Sequence, residues 1–324
     1  MNKGELLNCV PPGVRLINLG KRRPRDAVFA LTRYLNRERP DALLSSVLRA
    51  NIAALVAGKI FSRKTRVVVR EANRTEFIIK SQGQIRAWTD AFYTSYLYPK
   101  ADAIIAVSKS VRDSLVHRHL SKPSHIHIIH NPITIQTQSI VKRINTESTP
   151  TLLACGRLAP EKDHVTLLRA FALLRNKMHA KLIVLGEGPL RSELQLQAEK
   201  LGIQNDVTFA GFVQKPLAYL YSCSIFVHTS RFEGLPNVLL QAMVAGCPIV
   251  ATDCPGGVRE VLDDGKYGTL VPVGSHVAVA EAIEHILTGQ TRFPNAADYL
   301  RQFDIEKIVD KYLSVLFPAT RDHA

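Results

Sequence analysis

Residues 224–252, SIFVHTSRFEGLPNVLLQAMVAGCPIVAT, decide the fold. The run 224–228 is apolar and short enough for a buried strand, 237–245 carries its apolar residues at helical spacing, and 248–251 reads as a second strand. A strand, a helix and a strand in that order make a parallel pair with the helix crossing one face of the sheet. In open parallel sheets, ligands lie beyond the carboxyl ends of the strands, so the turn 229–237 between the first strand and the helix is a candidate site.

Working outward, the alternation continues in both directions. Strands are predicted at 151–154, 181–185 and 207–210 and helices at 164–174, 189–201 and 216–221, with further helices at 277–287 and 305–316. Toward the N-terminus, strands are predicted at 14–19, 42–47, 65–69, 103–107 and 125–129, alternating with helices at 26–39, 50–58, 85–98 and 111–120. Residues 136–150 are polar, lack periodicity and read as a linker. At 324 residues the chain suits two domains. The expectation is an α/β protein of two doubly wound, Rossmann-like domains, 1–145 and 150–300, with a C-terminal helix in 301–324 returning to the first.

Three turns at strand ends of the second domain could carry chemistry. In GRLAPEKDH (156–164), Arg157 and Lys162 follow Gly156 and precede a helix whose N-terminal N–H groups favour anions. They form a diphosphate site or remain two solvated cations. LGEGP (185–189) hints at a dinucleotide turn, but the third glycine is replaced by Arg191, and a tight turn without ligand explains it better. In the third turn, Glu233 stands beside Gly234, Leu235, Pro236 and Asn237 at a helix start. An ionised carboxylate there can accept sugar hydroxyls while the N–H groups of Leu235 and Asn237 meet a phosphate or hydroxyl oxygen; alternatively it only caps the helix. Gln241, two turns along, places an amide within reach of a ribose.

The ordered set GRLAPEKDH, VLGEGPLRSEL, FAGFV and SRFEGLPNVLLQAMVAGCPIVATDCPGGVREVLDDGKYGTLVPVG resembles the nucleotide-sugar domain of the retaining family 4 glycosyltransferases. VVVREAN, YPKADAIIAVS and IIHNPI are similar to their acceptor domain, so the resemblance covers essentially the whole chain. It implies the GT-B architecture, two Rossmann-like domains facing a cleft. It further implies that Arg157 and Lys162 bind the donor diphosphate and Glu233 holds the transferred sugar, with Gly156, Gly234, Leu235, Pro236, Asn237 and Gln241 around the donor. Three departures stand out. The second acid of the family's E-x7-E pattern is Gln241. Where many members carry a histidine after the 67–69 strand, this sequence has Glu71, Ala72 and Asn73. The strand and Gly-rich loop that usually open the first domain do not precede Met1, so that domain is expected to be incomplete.

Charge is divided unevenly. The net charge is +14, yet residues 1–150 hold 25 basic against 10 acidic side chains and the remainder 17 against 18. The basic half suits an anionic partner, and Lys21, Arg22, Arg23 and Arg25 cluster within it. Nucleic acid is disfavoured, because no helix-turn-helix, zinc or aromatic-basic motif accompanies the charge. Apolar runs stop short of the ~20 residues that span a bilayer, and no signal-peptide core is present. Five cysteines without a C-x-x-C pair read as reduced thiols of a cytosolic protein. His117, His119, His125, His127 and His130 lack flanking ligands at metal spacing, so no metal is expected. Trp88, Phe92, Tyr93 and Tyr96 recur at helical spacing and are expected to face the core.

These readings converge on an expected cytoplasmic, cofactor-free and metal-independent retaining glycosyltransferase, peripheral at the inner face of the cell membrane and its anionic surface. Its expected donor is a UDP-sugar and its acceptor a saccharide or lipid-linked saccharide of the cell envelope. The alternative is a truncated, inactive homologue that only binds nucleotide.

Overall fold

In a computed structural model, residues 10–62, 65–74, 76–77, 84–134 and 149–318 are described. All but the last two residues of the predicted linker lie outside them. The chain divides into two compact units, Met1–Ala106 with Arg112–Ile129 and Asp310–Ala324, and Val107–Val111 with His130–Val309.

The first unit holds a parallel sheet, β1 (Ala42–Ser46), β2 (Arg66–Glu71), β3 (Ala103–Ala106) and β4 (Ile126–Ile128), in that spatial order. Val67, Val68 and Val69 are fully buried in β2, as a strand covered on both faces requires. Helix α1 (Val28–Glu38) ends where Arg39 turns left-handed at φ 48° and returns its N–H to the Leu35 carbonyl, just before Pro40. Helix α2 (Leu48–Leu55) runs on into a π-helical stretch, Val56–Ser62. Helices α3 (Gln84–Leu97) and α4 (Lys109–His117) flank β3 in sequence. At the far end of the chain, Arg66 donates to the Val315 carbonyl (3.0 Å) and Arg70 to the Tyr312 hydroxyl (2.9 Å), which ties the C-terminal turns to β2.

Two expectations fail in this unit. Residues 14–19 form no strand: Val14, Leu16 and Ile17 are exposed, and no neighbouring strand supplies a ladder among the described residues. The aromatic residues of α3 do not face the core. Trp88 is 71% exposed and Phe92, Tyr93 and Tyr96 about half, whereas Asp90, Thr94 and Leu97 are the buried ones among the described side chains of that helix. Periodicity placed the stripe on one helix face but could not say which face the sheet would cover.

The second unit holds six parallel strands in the order β10-β9-β8-β5-β6-β7: β5 (Thr151–Cys155), β6 (Lys181–Leu185), β7 (Val207–Gly211), β8 (Ile225–His228), β9 (Ile249–Thr252) and β10 (Thr269–Val271). Around them lie α5 (His164–Arg175), α6 (Arg191–Lys200), α7 (Leu217–Ser222), α8 (Asn237–Val244), α9 (Val258–Val261), α10 (His276–Leu287) and α11 (Ala297–Leu300). Helix α12 (Ile305–Leu316) closes the chain. Leu152, Phe171, Leu182, Ile225, Val250 and Ile283 join one buried cluster that fixes α5 and α10 against the sheet. The chain adds strands on one side of β5 as far as β7, then crosses over to add β8 to β10 on the other. The strand order therefore reverses between β5 and β8, the point at which doubly wound sheets bind ligands.

Candidate functional site

The two loops that carry the sequence-predicted residues meet at this reversal. After β5, a 3-10 turn, Pro160–Lys162, leads to Asp163, which caps α5 by accepting from the Thr166 backbone N–H (3.4 Å) and also accepts from the Thr166 hydroxyl (3.0 Å). After β8, Thr229 donates to the carbonyls of Lys162 (3.0 Å) and Asp163 (3.1 Å), and Arg231 Nε donates to Asp163 Oδ2 (3.1 Å). These bonds hold the loop bearing Lys162 against the loop bearing Glu233.

Lys162 Nζ donates to Glu233 Oε1 at 2.5 Å, and Ser230 Oγ donates to the same oxygen at 2.7 Å. His228 Nε2 lies 3.2 Å from it without hydrogen-bonding geometry, so this buried nitrogen is unpartnered among the described residues. Burial pushes the His228 imidazole down to about 4 and that of His164 likewise to about 4, against the pull of Glu233 on the first. Both rings are therefore neutral at pH 7. Burial, reinforced by the Glu233 charge, pushes the Cys254 thiol up to about 12. The result is a largely buried Lys162–Glu233 ion pair flanked by the uncharged side chains of His228, Ser230 and Cys254.

Glycines shape its walls. Gly256 has φ +137°, and a Cβ there would stand 2.2 Å from the Glu233 carbonyl oxygen. Glu233 N–H donates to the Pro255 carbonyl and Gly257 N–H to that of Gly234, so the turn 255–257 clamps the backbone of the acid. Gly186 has φ +140°, and its Cβ would meet the Gly156 oxygen at 2.0 Å. The G-x-G of residues 186–188 thus exists to let two backbones touch. Gly156 itself lies under the aliphatic stem of Lys162.

The remaining sequence-predicted residues fall in different places. Arg157 is exposed and makes no ion pair with a described residue. Pro236 forms the N-cap of α8, next to buried Gly234 and Leu235. Asn237 and Gln241 line a separate cavity of about 240 Å³, shared with Leu240, Leu217 and Ile133. Asn131 Nδ2 donates to Asn237 Oδ1 (2.6 Å) and the Leu235 carbonyl (3.3 Å), fixing the start of α8. Sequence reasoning missed His228, Ser230, His164 and Asn131 as site residues. Their signal was positional: two lie at or just past the end of β8, one opens α5 and one belongs to the quoted IIHNPI stretch. Among the described residues, no group of three His, Cys, Asp or Glu side chains could hold a metal ion.

A doubly wound sheet with a cation and an acid at its switch point defines a class of nucleotide-handling α/β proteins. Residues 136–303 match the family described as "Glycosyl transferases group 1" and residues 4–137 match "Glycosyltransferase Family 4". The chain belongs to this family of glycosyltransferases, with the GT-B fold. Among its relatives is the N-acetylgalactosamine-N,N'-diacetylbacillosaminyl-diphospho-undecaprenol 4-alpha-N-acetylgalactosaminyltransferase of Campylobacter jejuni, 33% identical over 74% of this chain and 65% of that enzyme. The chain thus spans just under two thirds of that relative's length. The GalNAc-alpha-(1->4)-GalNAc-alpha-(1->3)-diNAcBac-PP-undecaprenol alpha-1,4-N-acetyl-D-galactosaminyltransferase of the same organism is 26% identical over 89% of this chain and 77% of its own. Anabaena HepE in complex with UDP-glucose shares the fold at a TM-score of 0.76, with 20% identity over 90% of this chain and 81% of that one.

Proposed function

We propose that this protein is a retaining, metal-independent glycosyltransferase that moves a sugar from a UDP-sugar to a saccharide acceptor carried on a lipid diphosphate in cell-envelope assembly. The observation that carries the reading is the Lys162–Glu233 pair at the β5/β8 switch point, beside the start of α8. The relatives support the substrates: two are named for transfer to undecaprenol-diphosphate-linked saccharides, and HepE is described with UDP-glucose.

The chemistry follows from the groups present. Lys162 and Arg157 would stabilise the negative charge that develops on the leaving diphosphate, and its departing oxygen would accept the proton of the acceptor hydroxyl. That front-face course retains configuration without a side-chain nucleophile. The three contacts on Glu233 Oε1 leave Oε2 to accept a hydroxyl of the sugar. Gln241 and Asn237, in their cavity, would meet the nucleoside. The site would act at the cytoplasmic face of a membrane, with the basic first half against anionic lipid.

Calorimetry with UDP tests the placement of the diphosphate. The Arg157→Ala, Lys162→Ala double variant should bind UDP at least about a hundredfold more weakly, since two charge-assisted contacts are lost. Unchanged affinity would put the diphosphate elsewhere. UDP binding without any transfer to lipid-diphosphate-linked saccharides would favour the inactive homologue.

A further inference from the structure

The outward face of α3 is built the wrong way round for a helix that only supports a sheet. Two of its polar residues point in: Asp90 is 7% exposed and paired with Arg49 (3.3 Å), and Thr94 is fully buried and bonded back to the Asp90 carbonyl. Its rings point out. Trp88 and Phe92 stack with centroids 6.0 Å apart, and Phe92 meets Tyr93 edge-on at 5.8 Å. One turn on, Lys100 Nζ sits 4.4 Å above the ring of Tyr96.

We infer that this aromatic face docks the protein on an anionic lipid bilayer, the rings entering the headgroup boundary while cations around them meet lipid phosphates. Trp and Tyr favour that boundary because their apolar bodies leave water while their polar edges stay solvated. Charge selects the occupant. The only acid among residues 84–100 is Asp90, which is turned inward, and the half of the chain that holds α3 carries a net +15. A second copy of this face would bring like charge against like charge, whereas an anionic leaflet complements it. The inference gives a contact to the membrane-facing acceptor proposed above and rests on that reading for its purpose, not for its observations.

Trp88 is the chain's single tryptophan, so its emission reports this face alone. With vesicles of phosphatidylglycerol and phosphatidylethanolamine, the emission should shift to the blue and be quenched by acyl-brominated lipid. The Phe92→Ser, Tyr96→Ser variant should partition about tenfold more weakly, with UDP affinity and thermal melt unchanged because both rings are solvent-exposed. Trp88 emission that stays constant while vesicles sediment the protein would overturn the inference, as would absence of sedimentation. A concentration-dependent blue shift without lipid would assign the face to a second copy and overturn it equally. A lipid-induced Trp88 shift in a protein that fails to bind UDP would support the docking face while refuting the proposed reaction.

Discussion

Glu233 Oε1 is held by two donors, the Lys162 ammonium and the Ser230 hydroxyl, with the neutral His228 imidazole packed 3.2 Å away. If Oε2 holds the sugar, Glu233→Gln should lower kcat about ten- to a hundredfold, the worth of one charge-assisted bond, while the Kd for free UDP changes little. Equal losses in both quantities, read by single-turnover kinetics and calorimetry, would move Glu233 onto the nucleotide. The histidines give a second expectation. His228 and His164 hold folded values of about 4, below the ~6.5 of a solvated imidazole, so between these limits the unfolded chain binds more protons than the folded one. Stability is therefore full above pH 6.5 and falls as pH drops toward 4, by about 3 kcal/mol for each ring. The groups facing His228 in this balance are Glu233, Lys162 and His164. Urea midpoints measured across that window should slope upward with pH, and His228→Gln should flatten the slope; an unchanged slope would show that the ring is solvated. Lys162 and Glu233 were legible because each stands in a turn after an apolar run. His228 and Ser230 were not, since their meaning comes from a contact across the β5/β8 reversal that no local pattern encodes.

At the scale of elements, the strand order does what individual residues cannot: it sets the loops after β5 and β8 side by side although some seventy residues separate them. The turn 255–257 then fixes the height of the acid. Gly256→Ala would place a methyl group against the Glu233 carbonyl and force a residue at φ +137° that L side chains rarely adopt. A loss of about 1–3 kcal/mol in stability is expected, accompanied by a drop in kcat larger than the drop in UDP affinity. A variant with native turnover would show that the clamp is dispensable. Most elements were legible from alternation of apolar strands and amphipathic helices. Residues 14–19 were misread because a β-prone run becomes a strand only with a neighbour to pair with. Strand β10 was not foreseen: Thr269, Leu270 and Val271 are too few for periodicity to register, and they gain their partners from β9.

Across the whole molecule, the proposed membrane contact would be divided between charge and aromatic surface. Lys21, Arg22, Arg23 and Arg25 are all exposed, with Arg25 partly compensated by Asp26 at 3.5 Å. Each cation near an anionic leaflet contributes up to about 1 kcal/mol, decaying over a Debye length that shrinks from ~8 Å at physiological salt to ~3 Å at 1 M. Replacing all four with Gln should therefore weaken sedimentation with phosphatidylglycerol vesicles by about one to two orders of magnitude at low salt and change it little near 1 M. A contribution from α3 would have the opposite signature, because ring burial is not screened by ions. The four-fold Gln variant should still show the Trp88 blue shift once enough lipid is present, and its residual binding should be nearly independent of salt. If that residual binding disappears with salt as steeply as the native protein's, the cations alone attach the chain and the rings add nothing.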